Sequence, residues 1–167
     1  MMKMMKKLSV PNGYFYEGFT FDMFFCLHFR GADGQINVRI YSDYYVNTPA
    51  DWARKVENFS ECNFSSDPND PVLAFVLACV RWSDSHELQG IYVTDDELVI
   101  AFANDLTLHI SHYDDFDDAW TVEKEAFVLC GDGRKRETEL LLACDNGALS
   151  GSAVENGLLY ENEPDNY

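Results

Sequence analysis

The stretch Phe25-Cys26-Leu27-His28-Phe29-Arg30-Gly31-Ala32-Asp33-Gly34-Gln35-Ile36-Asn37-Val38-Arg39-Ile40 decides the reading of this chain. Phe25, Leu27 and Phe29 alternate with Cys26 and His28, and Ile36, Val38 and Ile40 alternate with Asn37 and Arg39. A period of two marks a strand with one buried face. Gly31-Ala32-Asp33-Gly34 lies between the runs as a turn, so the two runs predict an antiparallel hairpin. His28 falls on the face opposite the apolar residues.

A second hairpin follows the same rule. Leu98, Ile100 and Phe102 alternate with Val99 and Ala101, Ala103-Asn104-Asp105 turns the chain, and Leu106, Leu108 and Ile110 alternate with Thr107 and His109. Each hairpin is preceded by a glycine, Gly18 and Gly90, near a further short strand. The echo reads either as two ordinary hairpins or as a duplicated meander. Ile91 and Val93, with a turn at Asp95-Asp96, supply the strand before the second hairpin. Trp120 and Val122 begin another. Ala126–Cys130 and Glu139–Cys144 are two further candidates, flanking Gly131-Asp132-Gly133 and the basic triplet Arg134-Lys135-Arg136. Asp145-Asn146-Gly147 is a strong hairpin turn, with a short strand expected from Ala148 to Val154.

Two helices are expected between the hairpins. Thr48-Pro49-Ala50-Asp51 has an N-cap, a proline at the first helical position and an acid in the first turn. Trp52, Val56 and Phe59 follow at helical spacing, which predicts a helix over 48–60. Asp70-Pro71 opens a second over 70–83, with Val72, Phe75, Val76, Cys79 and Val80 on its apolar face. The expected class is therefore α+β, an antiparallel sheet of two hairpin or meander units packed on two helices. Residues 1–154 are expected to form one domain with a frayed basic start over 1–12. Residues 155–167 are expected to form an acidic, flexible tail.

The chain has 167 residues, 12 Lys+Arg against 29 Asp+Glu, and a formal net charge of -17. Apart from histidine, the only basic residues between Leu8 and Gly133 are Arg30, Arg39, Arg54, Lys55, Arg81 and Lys124. Such a balance excludes a phosphate-binding footprint, so direct nucleic-acid binding is not expected. It also opposes docking on an anionic membrane. Lys3, Lys6 and Lys7 precede Pro11-Asn12-Gly13 and not an apolar run, so no signal peptide is read. Cys26, Cys62, Cys79, Cys130 and Cys144 are odd in number and include no CxxC pair, which fits free thiols in a reducing cytoplasm.

Little in the sequence points to catalysis. There is no G-x-S-x-G, P-loop or G-x-G-x-x-G. His109-x-x-His112, followed by Asp114, Asp115, Asp117 and Asp118, is the densest set of metal-ligand types. Residues three apart in a strand face opposite ways, so the two histidines converge only if the chain bends at Ser111. No cofactor is expected and the protein is read as a non-enzyme. A metal or small-ligand protein using His109 and His112, and a structural subunit assembling through aromatic strands, are the alternatives.

The acidic excess points to a basic protein partner, a toxin or a nucleic-acid-binding protein, drawn in by long-range attraction. Asp114-Asp115-Phe116-Asp117-Asp118 with Trp120 reads as an aromatic anchor inside a charged rim. Asp43, Tyr44 and Tyr45, with Tyr41, form a second group of that kind. The expected function is that of a cytoplasmic inhibitor or immunity-type protein that occludes a basic surface. A phage-encoded inhibitor of a nucleic-acid-binding host system belongs to the same class.

The second unit also carries a resemblance. Leu88-x-Gly90, Glu97-Leu98-x-Ile100-x-Phe102-x-Asn104, Leu106-x-Leu108-x-Ile110 and Ala119-Trp120-x-Val122 together resemble a family of small uncharacterised bacterial α+β proteins. Those have a hairpin of the form L-x-L-x-F-x-D/N-G, then a strand and an E-A-W closing motif. Some of their members and relatives look like immunity proteins of polymorphic toxin systems. The resemblance spans residues 88–122. Asp105 stands where the turn glycine would be, and Asp118 replaces the glutamate before Ala119-Trp120. It implies an α+β fold and a toxin–immunity setting.

Overall fold

The structure, a computed structural model, describes residues 5–21, 23–47, 86–103, 106–113, 118–131 and 133–162. The described chain runs β1 (Met5–Leu8), β2 (Phe15–Phe21), β3 (Phe25–Arg30), β4 (Gly34–Ile40) and β5 (Tyr44–Asn47). It continues with β6 (Leu88–Val93), β7 (Glu97–Phe102), β8 (Thr107–Ser111), β9 (Asp118–Cys130), β10 (Gly133–Asp145) and β11 (Ala148–Ser150). A single turn of helix, α1 (Ser152–Glu155), precedes β12 (Leu159–Asn162). The strands form two six-stranded sheets, in the orders β12-β1-β6-β7-β8-β5 and β11-β10-β9-β4-β3-β2. Neighbouring strands are antiparallel throughout.

Both expected hairpins form. Phe25 pairs with Ile40, Leu27 with Val38 and Phe29 with Ile36. Leu98 pairs with Ile110 and Ile100 with Leu108. The α+β class, however, is overturned. The two meanders do not lie side by side in one sheet; they belong to different sheets that face each other. The rings of Phe29 and Phe102 meet across the gap with centroids 5.8 Å apart, and Tyr16 meets Phe102 edge-on at 5.8 Å. One core cluster takes residues from both sheets. Alternation shows that a sheet has one apolar face but not what covers it; here the cover is the second sheet. The helices expected over 48–60 and 70–83 lie outside the described residues.

The echo between the hairpins has a structural counterpart. β2-β3-β4 and β6-β7-β8 are each three-stranded meanders. Each opens with a register shift at its glycine, between Tyr16 and Gly18 in one and between Leu88 and Gly90 in the other. The two first strands join reciprocally: Tyr16 N–H donates to the His86 carbonyl at 2.7 Å and Leu88 N–H to the Tyr14 carbonyl at 2.9 Å. This exchange forms an antiparallel bridge between Phe15 and Glu87, which ties the two sheets together where the meanders begin.

Other expectations need correction. Met5–Leu8, inside the start expected to fray, forms β1 and pairs with both β12 and β6. Leu159–Asn162, inside the expected loose tail, is the strand beside it. Arg134-Lys135-Arg136 lies within β10, a 13-residue strand that pairs along the 13-residue β9 with register shifts at Leu140/Leu142 and Cys144/Asp145. The distal part of this ribbon carries Arg136 over the Phe127 ring at 5.7 Å and keeps Phe127 exposed, so no alternation marks it. The strand after the Asn146-Gly147 turn stops at Ser150, and α1 takes Ala153 into the core. Cys26 and Cys144 are buried free thiols, and burial raises the pKa of both.

Candidate functional site

The feature that stands out on this scaffold is an aromatic end of the sandwich, where β4 hands the chain to β5. The β2–β3 hairpin closes on the Phe21–Phe25 pair. Its tip presents Met23, which is 92% exposed and has a φ of 65. Phe21 is 58% exposed and packs on Phe25 at 4.8 Å. Phe24 packs on Tyr41 at 4.7 Å, and Tyr44 meets Phe25 edge-on at 5.9 Å. Between the hairpin tip and the Tyr41-Ser42 turn runs a groove of about 420 Å³, floored by Phe25 and Ile40.

Acidic groups border this end. Ala119 O accepts from both Tyr41 N–H at 2.9 Å and Ser42 N–H at 3.0 Å. This places the exposed Asp118 next to Tyr41. Burial, and secondarily the charges of Asp118 and Glu123, hold the Tyr41 phenol above its ordinary pKa against the pull of Arg39. Asp43 is exposed on the other side of Ser42, and its carbonyl accepts from Ser111 N–H at 2.8 Å. The Ser42 hydroxyl donates to the Ser111 carbonyl at 2.6 Å, which ties the turn to β8. An aromatic groove with carboxylates beside one edge resembles the anatomy of a protein interface.

The structure separates the residues singled out in the sequence. Tyr44 lines the groove. Tyr45, its neighbour in β5, points to the opposite face and stacks flat on His109 at 4.4 Å. Trp120 is wholly buried, so it is a core residue and not a surface anchor. Asp114, Asp115, Phe116 and Asp117 lie outside the described residues. Asp43 and Asp118 are therefore the described carboxylates of the two expected groups, and they flank one turn. The apolar groove residues that sequence reasoning missed are Phe21, Met23 and Phe24. The available signal was Met23-Phe24, two large apolar residues in the connection between β2 and β3, where turn residues are expected.

The histidines do not share a site. His109 lies on the outer face of its sheet, with Nδ1 2.9 Å from Glu97 Oε2 and Nε2 2.9 Å from Thr107 Oγ1. His112 is 2% exposed and turned inward. Its Nδ1 accepts from the Trp120 indole N–H at 3.2 Å and its Nε2 donates to the Thr94 carbonyl at 2.7 Å. The chain bends after Ser111, but the bend carries the two rings apart. His28 joins a polar strip on the outer face of the other sheet, 3.1 Å from Thr20 Oγ1 and 2.7 Å from Asn37 Oδ1, and Asn37 continues it to Glu125. Among the described residues no group of three or more His, Cys, Asp or Glu side chains is placed to hold a metal ion.

Comparison with family models, curated proteins and solved structures gives no match. Among the described residues no helix is long and apolar enough to cross a membrane.

Proposed function

We propose that this protein is an acidic, non-enzymatic binding protein of the inhibitor or immunity type, and that it covers a basic surface of a partner protein. The observation that carries the reading is the exposed aromatic groove whose Tyr41-Ser42 edge has Asp43 and Asp118 as neighbours, on a chain of net charge -17. The charge attracts and orients a basic partner, and the aromatic side chains supply apolar contact once the surfaces meet. Occlusion of the partner's site needs no covalent chemistry. A nuclease or other nucleic-acid-binding protein is the natural target, because its phosphate-binding face is basic and carboxylates can take the place of phosphates. The buried free thiols Cys26 and Cys144 suit a reducing cytoplasm as the place of action.

The test is the salt dependence of complex formation. A basic partner isolated from the native host at low ionic strength should associate at least about tenfold more slowly at high salt. Reversing both aspartates, Asp43→Lys with Asp118→Lys, should weaken binding and flatten that dependence while leaving the circular dichroism unchanged. Binding that is indifferent to salt and to both reversals counts against the proposal.

A further inference from the structure

We infer that the β2–β3 hairpin tip is the anchor of this interaction, with Met23 entering an apolar pocket on the basic partner protein. The inference rests on the proposed binding role and adds to it the element that makes the central contact. Two independent features of Met23 carry it. Its side chain is 92% exposed, so it contributes almost nothing to the core. Its φ of 65 lies in the left-handed region, where glycine and asparagine are at ease and other L residues are strained. A large apolar side chain held in water on a strained backbone has no local structural reason to be there.

The second meander offers a comparison. Its β6–β7 hairpin closes with polar residues: Thr94 Oγ1 accepts from the backbone N–H of Asp96 at 3.3 Å and of Glu97 at 3.0 Å, and Asp95 and Asp96 are exposed. A first hairpin of a meander in this fold is therefore turned without a large apolar side chain at its tip, and the exposed Met23 of the β2–β3 hairpin is not a requirement of folding.

The occupant follows from charge. A second copy would bring another chain of net charge -17 against an end that carries Asp43 and Asp118 beside its Tyr41-Ser42 turn, so self-association through this end is opposed. A basic surface neutralises these carboxylates, and an apolar pocket within it takes the unbranched, polarisable methionine, a side chain that adapts readily to irregular pockets. Phe21 and Phe24 flank it and keep water from the contact, as near-neutral surroundings do around an interface hot spot.

The experiment places a photoreactive benzophenone amino acid at position 23, or at position 95 on the β6–β7 tip, in the full chain expressed in its native host. The protein captured on illumination is then purified and titrated against the wild type, Met23→Asn, and Asp43→Lys with Asp118→Lys. The expected result is capture of a basic protein from position 23 and not from position 95. Met23→Asn should weaken its binding roughly 10- to 100-fold with an unchanged salt dependence. The same variant should melt no lower than wild type, because asparagine tolerates this φ; a purely structural role for Met23 would lower the melting temperature instead. Capture from position 95 alone, capture of a second copy of this chain, or full affinity in Met23→Asn overturns the anchor. In the last case, binding that still depends on the two aspartates leaves the wider proposal standing. No capture from either position, capture of an acidic protein, or affinity untouched by every variant overturns both.

Discussion

The indole N–H of Trp120 donates to Nδ1 of His112 at 3.2 Å, and both residues are almost wholly buried. Because Nδ1 accepts, the ring proton sits on Nε2 and is given to the Thr94 carbonyl at 2.7 Å. The His112 backbone is engaged as well: its N–H donates to the Asp96 carbonyl, and its carbonyl accepts from Gly147 N–H. One residue thus joins the β6–β7 turn, the end of β8, the start of β9 and the β10–β11 turn. A residue that looks like a metal ligand in sequence is a rivet between the two sheets.

His112→Ala should cost about 2–4 kcal/mol, since it opens a cavity and leaves the buried indole N–H unpaired. Trp120→Phe should cost about 1–3 kcal/mol by losing the same bond and some volume. The double variant should fall short of the sum, because the two changes share one interaction. Urea unfolding of the four proteins measures the coupling; strict additivity would show that the pair is not a unit.

Tyr16 makes the opposite prediction. Its ring packs edge-on against Phe29 and Phe102, but its hydroxyl is buried with no hydrogen-bond partner among the described residues. An unsatisfied buried hydroxyl is a net cost. Tyr16→Phe should therefore stabilise the protein by about 1 kcal/mol, a rise of roughly 2–4 °C for a chain of this size. A calorimetric scan decides the sign.

Gly34 tests the seam between the first hairpin and β9. A Cβ there would stand 2.0 Å from the Glu125 carbonyl oxygen, a backbone atom that cannot swing away. Gly34→Ala should destabilise by about 2–4 kcal/mol. Gly131→Ala, at an open turn with nothing within 4 Å, is the control and should cost far less.

The acid response should come partly from Asp33. The Tyr14 hydroxyl donates to its Oδ1 at 2.5 Å and Lys124 Nζ to its Oδ2 at 3.1 Å. First the Tyr14 bond and then the Lys124 bond hold the carboxyl below its ordinary pKa. A depressed folded-state pKa gives stability that is present above about pH 4, the unfolded value, and is lost as pH falls through the folded one. Asp33→Asn should be less stable at neutral pH, and its melting temperature should fall less than that of wild type as pH drops below about 4. Equal slopes for the two proteins would remove Asp33 from the account.

The alkaline side has the reverse sign. Burial first, helped at Tyr14 by Asp33, raises the phenol pKa of Tyr14 and Tyr16. In the unfolded chain these phenols ionise near pH 10 while the folded ones stay neutral, so stability falls as pH climbs past about 10. Tyr16→Phe should accordingly lose less stability than wild type between about pH 9 and pH 11. Denaturant titrations across that range measure it.

What the sequence determined by itself is local. Strict alternation in 25–29, 36–40, 98–102 and 106–110 specified strands and their buried faces, because a strand shows one face to the core every second residue. Asn146-Gly147 specified its hairpin, and both residues adopt the positive φ, 46 and 84, that such a turn needs. The sequence grouped Asp43, Tyr44 and Tyr45 as one surface, and the structure places Tyr44 and Tyr45 on opposite faces of β5. Tertiary structure alone decided that the two meanders face each other instead of sharing one sheet. It also decided that Lys6-Lys7 and Tyr160-Glu161 pair as strands, and that Trp120 seals the core on His112. It brought the Phe21-to-Phe24 tip, from one end of a hairpin, against Tyr41 and Asp118, from other strands. The physical reason is that periodicity records which side of a strand avoids water, whereas the identity of the covering surface is settled by contacts between residues far apart in the chain.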